Sequence, residues 1–369
     1  MEKKEQRKEK SSRGDVRIGI SIGDPNGIGI EVTMKALEDT RILQDCTPVI
    51  YGSQKMFAKG KKQFRMNNFN FNGIKAAADA RRRKVNIVNV WDEDVEVKFG
   101  ETNETGGKYA FLSLEAATND LAAGKIDVLV TAPISKEAMA KTGFQFPGHT
   151  EYLADMAGQE EALMLMVSST MRIGLVTSHI ALKDVSSTVT ADKVFAKINA
   201  FNASLKKDFG IQRPKIAVFG LNPHAGENGK MGNEEKEAIM PAINRAKNDG
   251  ILAYGPYPAD GFFGSASKGK FDGILAMYHD QGLAAFKALA FDEGVNFTAG
   301  LPIIRTSPDH GTAFDIAGKN KASGDSMRQA IYLAMDVFRN HKFEKEITAN
   351  PLVSQPKDKK GRDSKRNEN

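Results

Sequence analysis

The chain has 369 residues, 41% hydrophobic and 27% charged, the balance of a soluble globular enzyme with length for two cored domains. Its net charge of +6 sits in the ends, since residues 1–13 and 357–369 each carry six Lys or Arg against three acids. The body between is near neutral and no aromatic residues interleave the terminal charges, so no nucleic-acid partner is expected. A single cysteine, Cys46, excludes an intrachain disulfide framework and a cysteine-built zinc site.

Both ends read as solvated, disordered tails with little to bury. No apolar run approaches the ~20 residues that span a bilayer. The longest candidate, 162–176, is broken by Ser168, Ser169 and Arg172. No apolar stretch follows the charged N-terminus, so no secretory signal is read there and a cytoplasmic location is expected.

In chain order, residues 16–22 read as a first buried strand. It runs into Gly23-Asp24-Pro25-Asn26-Gly27-Ile28-Gly29 and a helix over 30–38. Strand, glycine-rich turn and helix can present backbone N–H groups to an anion. The spacing is not that of a dinucleotide-binding turn, so close packing is an equal reading. Strands follow at 48–52 and 85–90, with a polar surface stretch at 59–72 between them. Residues 107–123 have helical periodicity, and 127–131 form another strand. Alternation of this kind predicts an α/β fold with a largely parallel sheet.

His149 begins a helix running to 157, where Thr150 could act as its cap. Residues 162–167 and 173–176 read as a β pair, ending at His179. A helix spans 191–209, a strand 215–220 ends near His224, and Asn233 reads as the cap of a helix to 247. Residues 254–260 hold two prolines and read as a loop bearing Asp260. Residues 273–277 form a strand ending at His279, and 282–290 read as a helix buried all round except for Lys287. A lone buried Lys needs an anion, because an unpaired buried charge costs several kcal/mol. Asn296, Arg305, Asp309 and His310 follow at turn positions, and a helix over 325–339 closes the fold.

His179, His224 and His279 each follow an apolar strand. One such histidine is usually a satisfied structural residue. Three in one topological position could converge, because parallel strands end at one sheet edge, and three neutral imidazoles suit a divalent cation with a position left open.

The motifs resemble those of the 4-hydroxythreonine-4-phosphate dehydrogenase family of pyridoxal phosphate biosynthesis. They are GDPNGIGIE at 23–31, GHTEYLADM at 148–156, TSHIALKDV at 177–185 and GLNPHAGENGKMGNEE at 220–235. YPADGFF at 257–263, AMYHDQGLAAFK at 276–287 and GLPIIRTSPDHGTAFDIAG at 300–318 complete the set, so the resemblance covers about 16–340. It implies two α/β/α domains like those of isocitrate and isopropylmalate dehydrogenases, with the site in the cleft. Residues 14–142 plus 303–347 would form the first domain and 143–302 the second.

The resemblance further implies a divalent metal (zinc, magnesium or cobalt) on His179, His224 and His279, shared across a homodimer. His149, Thr150, Lys287, Asn296 and Arg305 match substrate-binding positions, with Lys287 and Arg305 facing the anionic ends of a phosphorylated substrate. His310, Gly311, Thr312 and Asp315 resemble a loop that holds the adenosine end of NAD, where an acid disfavours NADP. Asp260 is the candidate acceptor for the alcohol proton. A sister activity on 4-phospho-threonate or 4-phospho-erythronate needs the same residues. A phosphate acyltransferase on this fold would need neither NAD nor three histidines.

Overall fold

The computed structural model describes residues 15–158, 162–265 and 269–350, so both expected tails lie outside the described residues. Twelve strands form one sheet: β1 (Val16–Ser21), β2 (Cys46–Gly52), β3 (Asn72–Ile74), β4 (Asn86–Asn89), β5 (Val128–Thr131), β6 (Leu163–Val167), β7 (Arg172–Leu175), β8 (Lys215–Phe219), β9 (Leu252–Tyr257), β10 (Gly273–Ala276), β11 (Val295–Ala299) and β12 (Arg305–Pro308). Their order is β3-β4-β2-β1-β5-β12-β11-β6-β7-β10-β8-β9. Central strands such as β2 and β5 are buried at every position, as expected of parallel strands covered on both faces.

Pairing is parallel except where β11 meets β12 and β6, and where β6 meets β7. These three reversals make the block β7-β10-β8-β9 run opposite to the block β3-β4-β2-β1-β5-β12. The strands before His179, His224 and His279 are β7, β8 and β10, mutually parallel neighbours, so the three loops leave the same edge. The fold is therefore α/β with a largely parallel sheet.

Several local expectations change. The 59–72 stretch contains part of a helix, Gln54–Gln63, whose Met56, Phe57 and Gly60 are buried, and it leads into β3. The expected loop at 254–260 holds the end of β9 and the start of the helix Ala259–Gly264. Pro256 is accommodated because β9 is an edge strand with one pairing partner. Asn233 does not cap with its side chain; its carbonyl accepts from Lys236 and Glu237, and the helix starts as a π-turn at Glu235–Ile239. Thr150 does not cap either, since Gly148 occupies that position without a side-chain bond. The helix His279–Ala290 is buried along one face only, through Gly282, Leu283, Phe286 and Ala290. Lys287 is on its open face, with 43% of the side chain exposed. The all-round apolar run is thus an amphipathic helix whose outer side carries small residues and Leu289.

Candidate active site

Where the two parallel blocks meet, the middle strands present a polar cavity of about 280 Å³. Thr131 of β5, Arg305 and Ser307 of β12, Asn296 of β11, and Met164 and Met166 of β6 all line it. Within each strand these residues alternate, so they share one face of the sheet. The loops add His149, Thr150, Glu151, His179, His279, Lys287, Asp309, His310 and Gly311.

Arg305, the first residue of β12, is 3% exposed. Its Nε and Nη2 donate to Thr131 Oγ1 at 3.0 and 2.7 Å, and Nη1 donates to Thr298 Oγ1 at 3.2 Å. Burial pulls its pKa down to about 10, which leaves it charged at neutral pH. Among the described residues no carboxylate is within ion-pair distance. A dry guanidinium held only by hydroxyls and an imidazole is built to receive an anion.

The imidazole is that of His149, the first residue of the helix His149–Met156. Arg305 Nη2 donates to His149 Nδ1 at 3.3 Å. A guanidinium can only donate, so Nδ1 is an acceptor and the ring proton sits on Nε2. Burial first, then Arg305 and Lys136, hold this ring well below the ordinary histidine range, so it is neutral. Its Nε2 is buried without a protein partner. It offers one N–H into the cavity. Asn296 Oδ1 and His310 Nε2 are likewise buried and unpartnered. Three orphaned polar atoms around one cavity mark a ligand site, since buried polar groups otherwise find partners.

Lys287 departs from its expected setting. Its ammonium lies 3.6 Å from Asp309 Oδ1 and 3.5 Å from the Asp309 carbonyl, at the open side of the cavity. Asp309 is pushed up by burial and held back partly by Lys287. Lys287 is thus a partly hydrated cation at the rim, already sharing a carboxylate.

The rings of His179 and His279 are 6.0 Å apart, centroid to centroid. His179 is held below its usual range by burial and then by Lys136, which favours the neutral form a metal needs. His279 Nδ1 faces Asp280 Oδ1 at 2.7 Å. Two imidazoles therefore suit a cation here. His224 is not brought to them within this chain, and among the described residues no three His, Cys, Asp or Glu gather closely enough to hold a metal. His224 is exposed and opens a left-handed turn, with φ of 53° at His224, 50° at Ala225, 78° at Gly226, 41° at Glu227 and 60° at Asn228. Buried Glu235 clamps the base of this turn by accepting from the Leu221 and Asn222 amides at 2.8 Å each. Asp260 is exposed on the helix Ala259–Gly264, which packs on the His224 turn, and it does not line the cavity.

The glycine-rich turn at 23–29 proves to be a packing device. A side chain on Gly27 would come within 2.8 Å of the Thr312 carbonyl, and one on Gly29 within 2.1 Å of the Ile22 carbonyl. The Gly27 and Ile28 amides already bond Asp24 and Thr312 carbonyls. Thr312 thus ties the 310–318 loop to this turn, while Asp315 is exposed and Gly311 borders open space. Lys136 and Glu151 were not singled out in the sequence. Both line the cavity, and the only local signal was Lys136 following Ser135, which caps the short helix Lys136–Ala140.

A dry arginine, orphaned hydrogen-bonding atoms and paired imidazoles at the reversal of its sheet make this an α/β protein with a polar ligand cavity. The family model for "Pyridoxal phosphate biosynthetic protein PdxA" matches residues 44–334, and the chain belongs to that family. It is 49% identical over 341 residues, 92% of this chain and 93% of the other, to a protein of Bacteroides thetaiotaomicron named 4-hydroxythreonine-4-phosphate dehydrogenase. It is 39% identical to an Oceanobacillus iheyensis protein provisionally named D-threonate 4-phosphate dehydrogenase, covering 87% of this chain and 97% of that one. A crystal structure of a 4-hydroxythreonine-4-phosphate dehydrogenase from Burkholderia phymatum superposes with a TM-score of 0.73 at 38% identity, covering 88% of this chain and 98% of that one. These relatives are dehydrogenases, and this chain is an oxidoreductase of the same family.

Proposed function

We propose that the protein oxidises the C3 hydroxyl of 4-phosphooxy-L-threonine with NAD, giving 2-amino-3-oxo-4-phosphooxybutanoate, which loses CO₂ to give 3-amino-2-oxopropyl phosphate. The observation that carries this reading is Arg305, buried, charged and without a carboxylate, beside the free Nε2–H of His149. Together they suit one anionic end of the substrate, and Lys287 at the rim suits the other. Thr150 and Asn296 complete the set of groups around it.

His179 and His279 would hold a divalent cation, with His224 supplied by a second copy in a homodimer. Exposed Leu289 and Phe291 beside the cavity helix favour such a second copy as cover. A cation bound there supplies Lewis acidity that lowers the pKa of the substrate hydroxyl. The chain's own part is to fix both anionic ends so that C3 meets the nicotinamide in one orientation. The loop at Gly311, Thr312 and Asp315 would border the dinucleotide, while the His310 ring, expected from sequence to join them, lines the substrate cavity instead. Among the described residues no helix is long and apolar enough to cross a membrane, and a cytoplasmic location fits this chemistry.

The Oceanobacillus relative favours a second reading, oxidation of 4-phospho-threonate, which lacks the amino group. Absorbance at 340 nm with NAD and each phosphorylated substrate decides between them. Turnover of 4-phosphooxy-L-threonine with the higher kcat/KM is expected, and a preference for the threonate reverses the assignment.

A further inference from the structure

The hydroxyl oxidised in this reaction must lose a proton as its carbon loses hydride, and Asp260, the acceptor expected from sequence, does not line the cavity. Each other basic group lining the cavity has a different commitment, and Lys136 sets its field on the His149 and His179 rings. His149 Nδ1 is taken by Arg305. Asp309 faces Lys287. Glu151 lies in the fields of Arg305 and His179. His179 and His279 form the imidazole pair already assigned to a cation. His310 differs from all of them.

His310 Nδ1 is 3.1 Å from the Gly311 carbonyl. A carbonyl only accepts, so this bond requires the proton on Nδ1 and leaves Nε2 as a bare lone pair. That Nε2 is buried and has no partner. His149 and His310 therefore sit in one cavity as opposite tautomers, one presenting an N–H and the other a lone pair. The bond to Gly311 is on the exposed side, so a proton taken up inside has a route to water through the same ring. Burial chiefly, and Lys287 from the neighbouring helix, hold the ring below its ordinary range, while Gly311 opposes them. Asp309 precedes it in the chain, and Arg305, His149, Lys136, Glu151, His179 and His279 are the other charged or titratable groups lining the cavity.

We propose that His310 is a catalytic residue, the general base that takes the substrate hydroxyl proton on Nε2. This rests on the dehydrogenase reading above. In the step, the C3–H bond breaks and its electron pair passes as hydride to the oxidised nicotinamide. The O–H electron pair becomes the second bond of the C3 carbonyl, and the proton forms an N–H bond at Nε2, giving an imidazolium that returns its extra proton to solvent.

The test uses the full-length protein with 4-phosphooxy-L-threonine, NAD and saturating divalent metal, comparing wild type with His310→Gln and His310→Asn. A positioned base contributes typically 100-fold to 10,000-fold, so kcat at pH 7 should fall about 100-fold or more. Above neutral pH the variants' rate should rise with hydroxide where the wild type is flat. NAD affinity by fluorescence titration and the melting temperature should stay near wild type. In ¹⁵N-histidine spectra of the unliganded protein, His310 should show the Nδ1–H tautomer. A variant with wild-type kcat and pH profile, a change confined to NAD affinity, or the Nε2–H tautomer overturns the assignment while leaving the dehydrogenase reading intact. Absence of NADH formation by the wild type overturns both.

Discussion

The cavity around Arg305 and the turn around His224 carry the same kinds of residue into opposite surroundings. In the cavity, neighbours from distant parts of the chain enclose each polar atom, and the hydrogen bonds determine which nitrogen carries a proton. At the turn, His224 and Asp260 are exposed, and what is rigid is the backbone, a run of left-handed residues clamped by Glu235. Positive φ at non-glycine residues costs of order 1 kcal/mol or more each and persists only where surroundings enforce it. The bonds that set Arg305, His149 and His310 in the cavity all come from within one chain. The turn faces outward, with His224 exposed.

The sharpest way to break this contrast is His224→Ala. Turnover should be abolished and bound metal lowered, with the melting temperature little changed because the side chain is exposed. Elemental analysis and calorimetry read this out. Mixing His224→Ala with His279→Ala protein should restore activity if each site draws on two copies, and full activity of either variant alone would end the idea.

Next in size is the cavity's cation. Arg305→Lys keeps charge but loses the fork that spans Thr131, Thr298 and His149, so kcat/KM should fall about 10-fold to beyond 100-fold. Lys287→Met should cost less, about 10-fold, since that ammonium is hydrated and shared with Asp309. Equal losses would mean that burial does not separate the two cations.

A smaller effect is expected at the clamp. Glu235→Ala leaves the Leu221 and Asn222 amides without their acceptor and should destabilise the fold by about 2 kcal/mol, measured by urea unfolding.

The smallest effect is expected at Asp24, beneath the glycine-rich turn. Burial raises its carboxyl pKa to about 6, against 3.8 unfolded, and one oxygen has no partner. The folded state holds this proton more tightly, so the group's stabilising contribution is complete below pH 3.8 and lost as pH rises through 6. Asp24→Asn should therefore stabilise the protein at pH 7, by roughly 1 kcal/mol, and the gain should shrink below about pH 6 and vanish near about pH 4. A gain independent of pH would show that the carboxylate is not the cause.

Much of the architecture was legible because it is written locally. Buried parallel strands are continuous apolar runs, and helices such as Glu104–Ala122 and Ala191–Lys207 announce themselves by period, while their caps Asn103 and Thr190 emerged only in the structure. Short elements were less legible: β3 has three residues, and β9 tolerates Pro256 only because nothing pairs on its far side.

By itself the sequence determined that His179, His224 and His279 follow parallel strands and that His310 lies at a turn, because strand patterns and breakers are short-range properties. It misplaced Asn296 and Arg305 among turns, where the structure has them on β11 and β12. Tertiary structure alone decided which of these groups are dry. Arg305 is desolvated by Thr131, 174 residues away, and by His149, 156 residues away, whereas Lys287 faces water from the open side of an amphipathic helix. It also decided where the ring protons sit, on Nε2 of His149 because of Arg305 and on Nδ1 of His310 because of Gly311. Burial and tautomer are set by every neighbour at once, and most of those neighbours are remote in the chain.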